Sequence, residues 1–195
     1  MGGTVEMISV LSEARLMSET REPSDERLVE LASSGDLESF TVLADRYRVR
    51  AMRIAYGILH NRADAEDAVQ EAFIRIYRSL GRFRGTGRFS TWLYRIVVNE
   101  SLRVQSNRGS TEEVEPKHEA ARSGVPNVQA LIVRQCLASL PEKLRIVLAL
   151  RGLEDLDYAE IGSILGIPVG TVRSRLHEAR RLFAERWKEL MKDED

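Results

Sequence analysis

At 195 residues and 43% hydrophobic content, the chain can bury a real core, as one ordinary domain or two small ones, and is not wholly disordered. A formal net charge of −1 argues against a uniformly basic nucleic-acid binder. The single cysteine, Cys136, cannot form an intramolecular disulfide and fits a reducing cytoplasm.

The charges are segregated along the chain. From Met1 to Phe40 the acids Glu6, Glu13, Glu19, Glu22, Asp25, Glu26, Glu30, Asp36 and Glu38 outnumber Arg15, Arg21 and Arg27. From Arg46 to Arg108 the balance inverts, with arginines far in excess of Asp64, Glu66, Asp67, Glu71 and Glu100. Such a basic block can meet phosphates while the acidic segments keep the protein soluble. No apolar run approaches membrane-spanning length and no signal-peptide pattern opens the chain, so a cytoplasmic protein without membrane insertion is expected.

Residues 1–23 read as a flexible extension, polar and acidic apart from the apolar patch Met7–Leu11. Ser24 can cap a short helix carrying Leu28, Val29 and Leu31, which stops at Ser34-Gly35. A long helix is expected from about Asp36 to His60, with Phe40, Leu43, Tyr47, Ile54 and Ile58 on one face. A third, about Ala63 to Leu80, repeats Ala65, Val69, Phe73, Ile76 and Leu80. After the loop Gly81–Arg88, a fourth runs from about Ser90 to Gln105. Residues 109–126 then lose periodicity and collect Glu112, Glu113, Glu115, Pro116, Gly124 and Pro126, the composition of an acidic linker. Helices resume near Asn127, first with Val128, Leu131 and Ile132, then with Pro141 at a helix start. Cys136 among Leu131, Ile132, Leu137 and Leu140 reads as a buried structural thiol. With no period-two strand, the expected fold class is all-α, two small helical domains joined by a flexible linker.

The segment Leu153–Phe183 reads as a helix-turn-helix. Asp157 can cap a helix over Tyr158–Leu165, Gly166-Ile167-Pro168 breaks it, and a second helix follows from about Val169. Val172, Leu176, Ala179 and Phe183 form its apolar stripe, while Thr171, Arg173, Ser174, Arg175, His177, Arg180 and Arg181 face outward. A cationic, hydrogen-bonding helix held at a fixed angle by a short turn suits the DNA major groove. The plainer alternative is an αα-hairpin with a solvated basic face; cap, turn and charge asymmetry together favour DNA.

In the first domain, Asp67, Gln70 and Glu71 share a helical face opposite the apolar one. The loop Phe83-Arg84-Gly85-Thr86-Gly87-Arg88-Phe89 leads into Ser90-Thr91-Trp92-Leu93-Tyr94-Arg95-Ile96-Val97-Val98-Asn99. Interleaved glycines, arginines and aromatics at a helix start suit single-stranded nucleic acid, whose bases stack on rings while arginines track the backbone. Trp92 reads equally well as a core ring.

These motifs resemble the sigma-70 family of bacterial RNA polymerase sigma factors, specifically its extracytoplasmic-function (ECF) group, over about residues 24–190. The resemblance rests on Asp64-Ala65-Glu66-Asp67 with Gln70-Glu71 and Phe73, on Phe89–Ile96 ending in Asn99, and on Pro168-Val169-Gly170-Thr171-Val172-Arg173-Ser174-Arg175. It implies a non-enzymatic initiation subunit without cofactor or bound metal, with sigma region 2 at 24–108 and sigma region 4 at 127–195. Asp67, Gln70 and Glu71 would dock on the β′ clamp helices of core RNA polymerase, whose β flap is a further implied contact. Phe83, Arg84, Gly85, Thr86, Arg88, Phe89, Trp92 and Asn99 would capture the melted −10 element of promoter DNA. Thr171, Arg173, Ser174, Arg175, His177, Glu178 and Arg181 would read the −35 element, and a cognate anti-sigma factor is an implied partner. The acidic linker would thread the polymerase cleft along the path of nascent RNA. The chain departs from the family after Asn99, where Glu100–Arg108 holds only Arg103 and Arg108 instead of a denser basic run, so duplex contacts there lose support.

Two other classes compete. A helix-turn-helix regulator acting without being a polymerase subunit would need a receiver or ligand domain, and residues 24–105 show no α/β alternation. An enzyme is disfavoured because His60, His118 and His177 lack metal-ligand spacing and no nucleophile–base motif appears.

Overall fold

The structure, a computed structural model, describes residues 23–83, 85, 87–109, 128–154 and 156–192. The N-terminal extension up to residue 22 and residues 110–127, which hold the linker apart from Gly109, lie outside the described residues.

Among the described residues every regular element is helical: α1 Asp25–Ser33, α2 Leu37–Leu59, α3 Arg62–Ser79 with a 3-10 turn Leu80–Arg82, α4 Phe89–Gly109, α5 Val128–Ala138, α6 Glu142–Glu154, α7 Tyr158–Leu165 and α8 Val169–Lys192. No helix among them is long and apolar enough to cross a membrane. Local chemistry sets the starts. Ser24 Oγ accepts from Arg27 N at 3.4 Å, Asp36 from Ser39 N at 3.2 Å and Asn61 from Asp64 N at 3.1 Å. Each side chain satisfies an amide that the first turn leaves without a partner. Helix α2 ends where His60 turns left-handed, at φ 53°. Helix α4 runs to Gly109, past the expected end near Gln105, because extending an existing helix adds one bond per residue and polar side chains alone do not stop it.

The first domain packs α2, α3 and α4 against one another, with α1 laid on α2. Leu43, Ala51, Ile54, Ile58, Ala65, Ala72, Ile76, Leu93 and Val97 face inward, all essentially inaccessible. Burying each large aliphatic side chain contributes about 1.5–3 kcal/mol. Asp25 ties α1 to α2 through Arg46 at 2.5 Å and through the Tyr47 hydroxyl, whose pKa is pushed up by burial and by that carboxylate. In the second domain α6, α7 and α5 pack on α8, and Cys136 is fully buried.

The two domains are not independent bodies on a tether. Helix α2 packs on α6 and α4 packs on α7. Ile54 and Ile58 belong to the same buried cluster as Val147, Leu150 and Ile161. The Arg134 guanidinium of α5 lies 5.6 Å over the Tyr56 ring of α2.

Candidate nucleic-acid interface

Helix α4 begins on a platform of rings. Phe83 and Trp92 lie 5.2 Å apart, Phe89 and Trp92 5.8 Å, and Tyr47 abuts Phe89 at 5.6 Å. Phe89, expected in the loop, is instead the first residue of α4 and only 5% exposed. It is a core ring that supports the half-buried Phe83 and Trp92 from beneath, because a planar apolar side chain at a helix start gains more from Tyr47 and Trp92 than from water. Gly85 sits at φ 67°, a left-handed backbone that favours glycine. Arg84 and Thr86 lie outside the described residues.

Arg88 caps α4, its carbonyl accepting from Thr91 N at 3.1 Å. Arg88, Trp92, Arg95 and Asn99 follow at helical spacing and define one face, on which Arg88, Arg95 and Asn99 are exposed. The residue after Asn99 is the reverse. Glu100 is 2% exposed, and its carboxylate is held by Arg75 at 2.9 Å and Arg103 at 2.8 Å. Sequence reasoning sees Glu100 only as a charge, since nothing in spacing alone announces a buried carboxylate. Arg75 also reaches Glu71 at 3.2 Å, so ion pairs join α3 to α4.

On α3, Asp67 and Gln70 are exposed and Glu71 half-buried, on one face as expected. Ile74, 36% exposed, continues that face, and Tyr77 borders it at 43% with its ring 4.9 Å from Phe40. Sequence alone does not single out these two positions; their exposure adds an apolar component to the acidic stripe.

The helix-turn-helix is tightly specified. Asp157 accepts from Glu160 N at 2.8 Å and Glu160 accepts from Asp157 N at 3.0 Å, a reciprocal capping box. Gly166 ends α7 at φ 65°, as a C-terminal glycine should. Gly162 has a separate role: a Cβ there would meet the Ile167 carbonyl oxygen at 2.9 Å, so only glycine lets the turn fold back this closely. Val172, Leu176 and Ala179 bury one side of α8. On the other, Arg173, Ser174 and His177 are exposed and Thr171, Arg175 and Glu178 partly so; all of these but Thr171 border an open groove of about 810 Å³ with Leu144 of α6. Arg181 is engaged within its own helix, by Glu178 at 2.6 Å and Glu185 at 2.7 Å. That pairing lowers the Glu178 pKa.

The helix-turn-helix also touches the α4 face. Arg88 Nη1 donates to Glu160 at 2.8 Å, and Arg95 donates to the carbonyl and hydroxyl oxygens of Ser163.

Comparison with known proteins accords with this geometry. Residues 43–110 match the model of Sigma-70 region 2, and residues 130–183 that of Sigma-70, region 4. The RNA polymerase sigma-H factor of Pseudomonas aeruginosa is 34% identical, the alignment covering 87% of this chain and 96% of that one. The ECF RNA polymerase sigma-E factor of Escherichia coli is 37% identical over 87% of this chain and 97% of its own. Among solved structures, the sigma factor RpoE of Bartonella quintana in complex with the anti-sigma factor NepR shares the fold at TM-score 0.66 and 21% identity, over 78% of this chain and 98% of that one. The chain belongs to the sigma-70 family of RNA polymerase sigma factors, in its ECF group.

Proposed function

We propose that this sigma factor, itself without catalytic activity, binds core RNA polymerase in the cytoplasm and directs it to promoters through three separate surfaces. Residues 24–108 act as region 2, 109–126 as a linker through the polymerase cleft and 127–195 as region 4. The Asp67–Gln70–Glu71 face of α3 docks on the β′ clamp helices, and region 4 meets the β flap. Phe83, Trp92 and Asn99, with the loop residues Arg84, Gly85, Thr86 and Arg88, capture bases of the melted −10 strand, with Phe89 as the ring beneath them. Asn99 offers both a donor and an acceptor to an unstacked base edge, whose extrusion costs about a few kcal/mol. Thr171, Arg173, Ser174, Arg175 and His177 read −35 duplex in the major groove, while Glu178 and Arg181, paired with each other, shape the end of that surface. A relative was solved with an anti-sigma factor, and a partner of that kind is proposed here too.

The observation that carries this reading is the alignment of Arg88, Trp92, Arg95 and Asn99 on one face of α4, above a floor of rings. The test is assembly and runoff transcription with core polymerase. Gln70→Ala combined with Glu71→Lys should abolish holoenzyme formation with helical content by circular dichroism unchanged. Normal assembly by that variant would refute the docking face.

A further inference from the structure

Helix α2 presents two exposed valines on its outward side. Val42 is 39% exposed and Val49 66%, and with Arg46 and Arg53 they recur at helical spacing as one stripe. Single exposed apolar residues are ordinary at a protein surface. What sets this pair apart is where the chain enters the fold. Arg46, between the valines, donates to the Pro23 carbonyl at 2.9 Å and pairs with Asp25 at 2.5 Å. Pro23 is the first described residue, so residues 1–22 join the fold beside the stripe.

We propose that the N-terminal segment Met7–Ala14 docks on the Val42–Val49 stripe of α2, an intramolecular ligand of the first domain.

The segment matches the stripe in pattern, charge and reach. Met7, Val10, Leu11 and Ala14 recur at the spacing of one helical face, the period of the stripe they would meet. Residues 1–22 hold Glu6, Glu13, Glu19 and Glu22 against Arg15 and Arg21. Helix α2 holds Arg46, Arg48, Arg50 and Arg53 against Glu38 and Asp45. The two net charges are opposite in sign, which favours encounter and the correct pairing more than raw affinity. From Val42 to Val49 the helix rises about 10 Å. The chain from Leu11 to Pro23 reaches up to about 40 Å when extended, so the tether does not limit the contact. Removing apolar surface from water on both sides drives docking, and ordering the segment opposes it. Attachment offsets part of that cost, because a segment on a short tether has an effective concentration on the order of millimolar. The balance gives a docked form in exchange with an open one, not a permanent part of the core.

The test is the reactivity of a thiol on the stripe in the full-length chain. Val49→Cys keeps a side chain of similar size, and Cys136, being buried, serves as the slow internal reference. Labelling by a water-soluble maleimide is followed by mass spectrometry of the peptides. Val10→Asp with Leu11→Asp, made in the same chain, puts charge into the apolar patch without touching the described core. The thiol at position 49 should then react at least about fivefold faster, since protection scales with the docked fraction. Val10→Ile with Leu11→Met keeps the patch apolar and should keep the protection. Glu66→Cys, on α3, should label at one rate whatever stands at positions 10 and 11. Equal rates at position 49 in all chains overturn the docking. Protection lost on about hundredfold dilution assigns the stripe to a second copy of the chain. Protection that appears only with core polymerase assigns it to that enzyme. Either result overturns the intramolecular contact.

Discussion

Glu100 lies 2.9 Å from Arg75, a buried carboxylate on α4 held by a half-exposed guanidinium on α3. The pair connects the face proposed for polymerase with the helix that presents Asn99, and Arg103 completes it from one turn along α4. A carboxylate 2% exposed is tolerable only while both cations remain. The outcome of substitution therefore depends on which side is cut. Glu100→Ala leaves two arginines that can turn to water, and should cost about 1–3 kcal/mol, the range for a lost buried hydrogen-bonding group. Arg75→Ala with Arg103→Ala strands the charge and should cost about 3–5 kcal/mol. Urea denaturation of the three chains gives the order; a double arginine variant more stable than Glu100→Ala would show that Glu100 is held by other means.

His60 should give the stability of the folded chain a pH dependence. It ends α2 in a left-handed turn, is largely buried, and its Nε2 has no hydrogen-bond partner. Burial first, then the nearby Arg145 of α6 and Arg134 of α5, lowers its pKa to about 4 from 6.5. The folded state thus holds a neutral imidazole that the unfolded chain protonates more readily. The stability this contributes is complete above pH 6.5 and is lost as pH falls toward 4. The melting temperature should drop through that window. His60→Asn, which tolerates the left-handed turn and does not titrate, should lose that part of the drop. Parallel pH profiles for the two chains would exclude the assignment.

Gly162 is where the recognition unit is least tolerant. A Cβ at this position would come within 2.9 Å of the Ile167 carbonyl oxygen, so Gly162→Ala must push backbone, not a flexible side-chain tip. A loss of about 1–3 kcal/mol is expected, the usual cost of forcing an extra methyl into a packed site. Binding to −35 duplex should weaken with it, because the angle between α7 and α8 sets the pose of Arg173 and Ser174. Gly166→Ala keeps open space and meets only the left-handed backbone at φ 65°, so its cost should be smaller, about 1 kcal/mol. Thermal unfolding of both variants compares them directly.

The helices and the turn of the recognition unit are legible in the sequence because their signals are local. Ser24, Asp36, Asn61 and Asp157 stand at helix starts, Gly166 and Pro168 at the break, and apolar residues recur at helical spacing. What escapes depends on pairs far apart in the chain. Arg88 with Glu160, and Arg95 with Ser163, are side chains that each read as solvated or DNA-facing on their own helix. The burial of Glu100 depends on Arg75, a full helix away in sequence. Phe89 is buried in the core, unlike the half-buried Phe83 and Trp92, because Tyr47, on another helix, offers it a partner. The packing of α2 on α6 likewise follows from tertiary complementarity between two amphipathic faces, each of which its own domain could have covered.

Duplex reading and strand opening should separate by mutation. Arg173 is exposed on α8 beside the open groove, and Asn99 is exposed on α4 above the ring platform, in different domains. Arg173→Ala should weaken −35 binding by about 1–3 kcal/mol per lost base contact. It should still allow initiation on templates already melted at the −10 element, since the contact it removes acts before opening. Asn99→Ala should leave −35 duplex binding intact and impair open-complex formation, because a captured base loses its hydrogen-bonding partner. Exchange of the loop Phe83–Phe89 should share that second phenotype and alter −10 preference. Permanganate footprinting of holoenzyme on linear and premelted promoters reads both steps. Identical failure of Arg173→Ala and Asn99→Ala on premelted DNA would mean that the two surfaces do not act at separate stages.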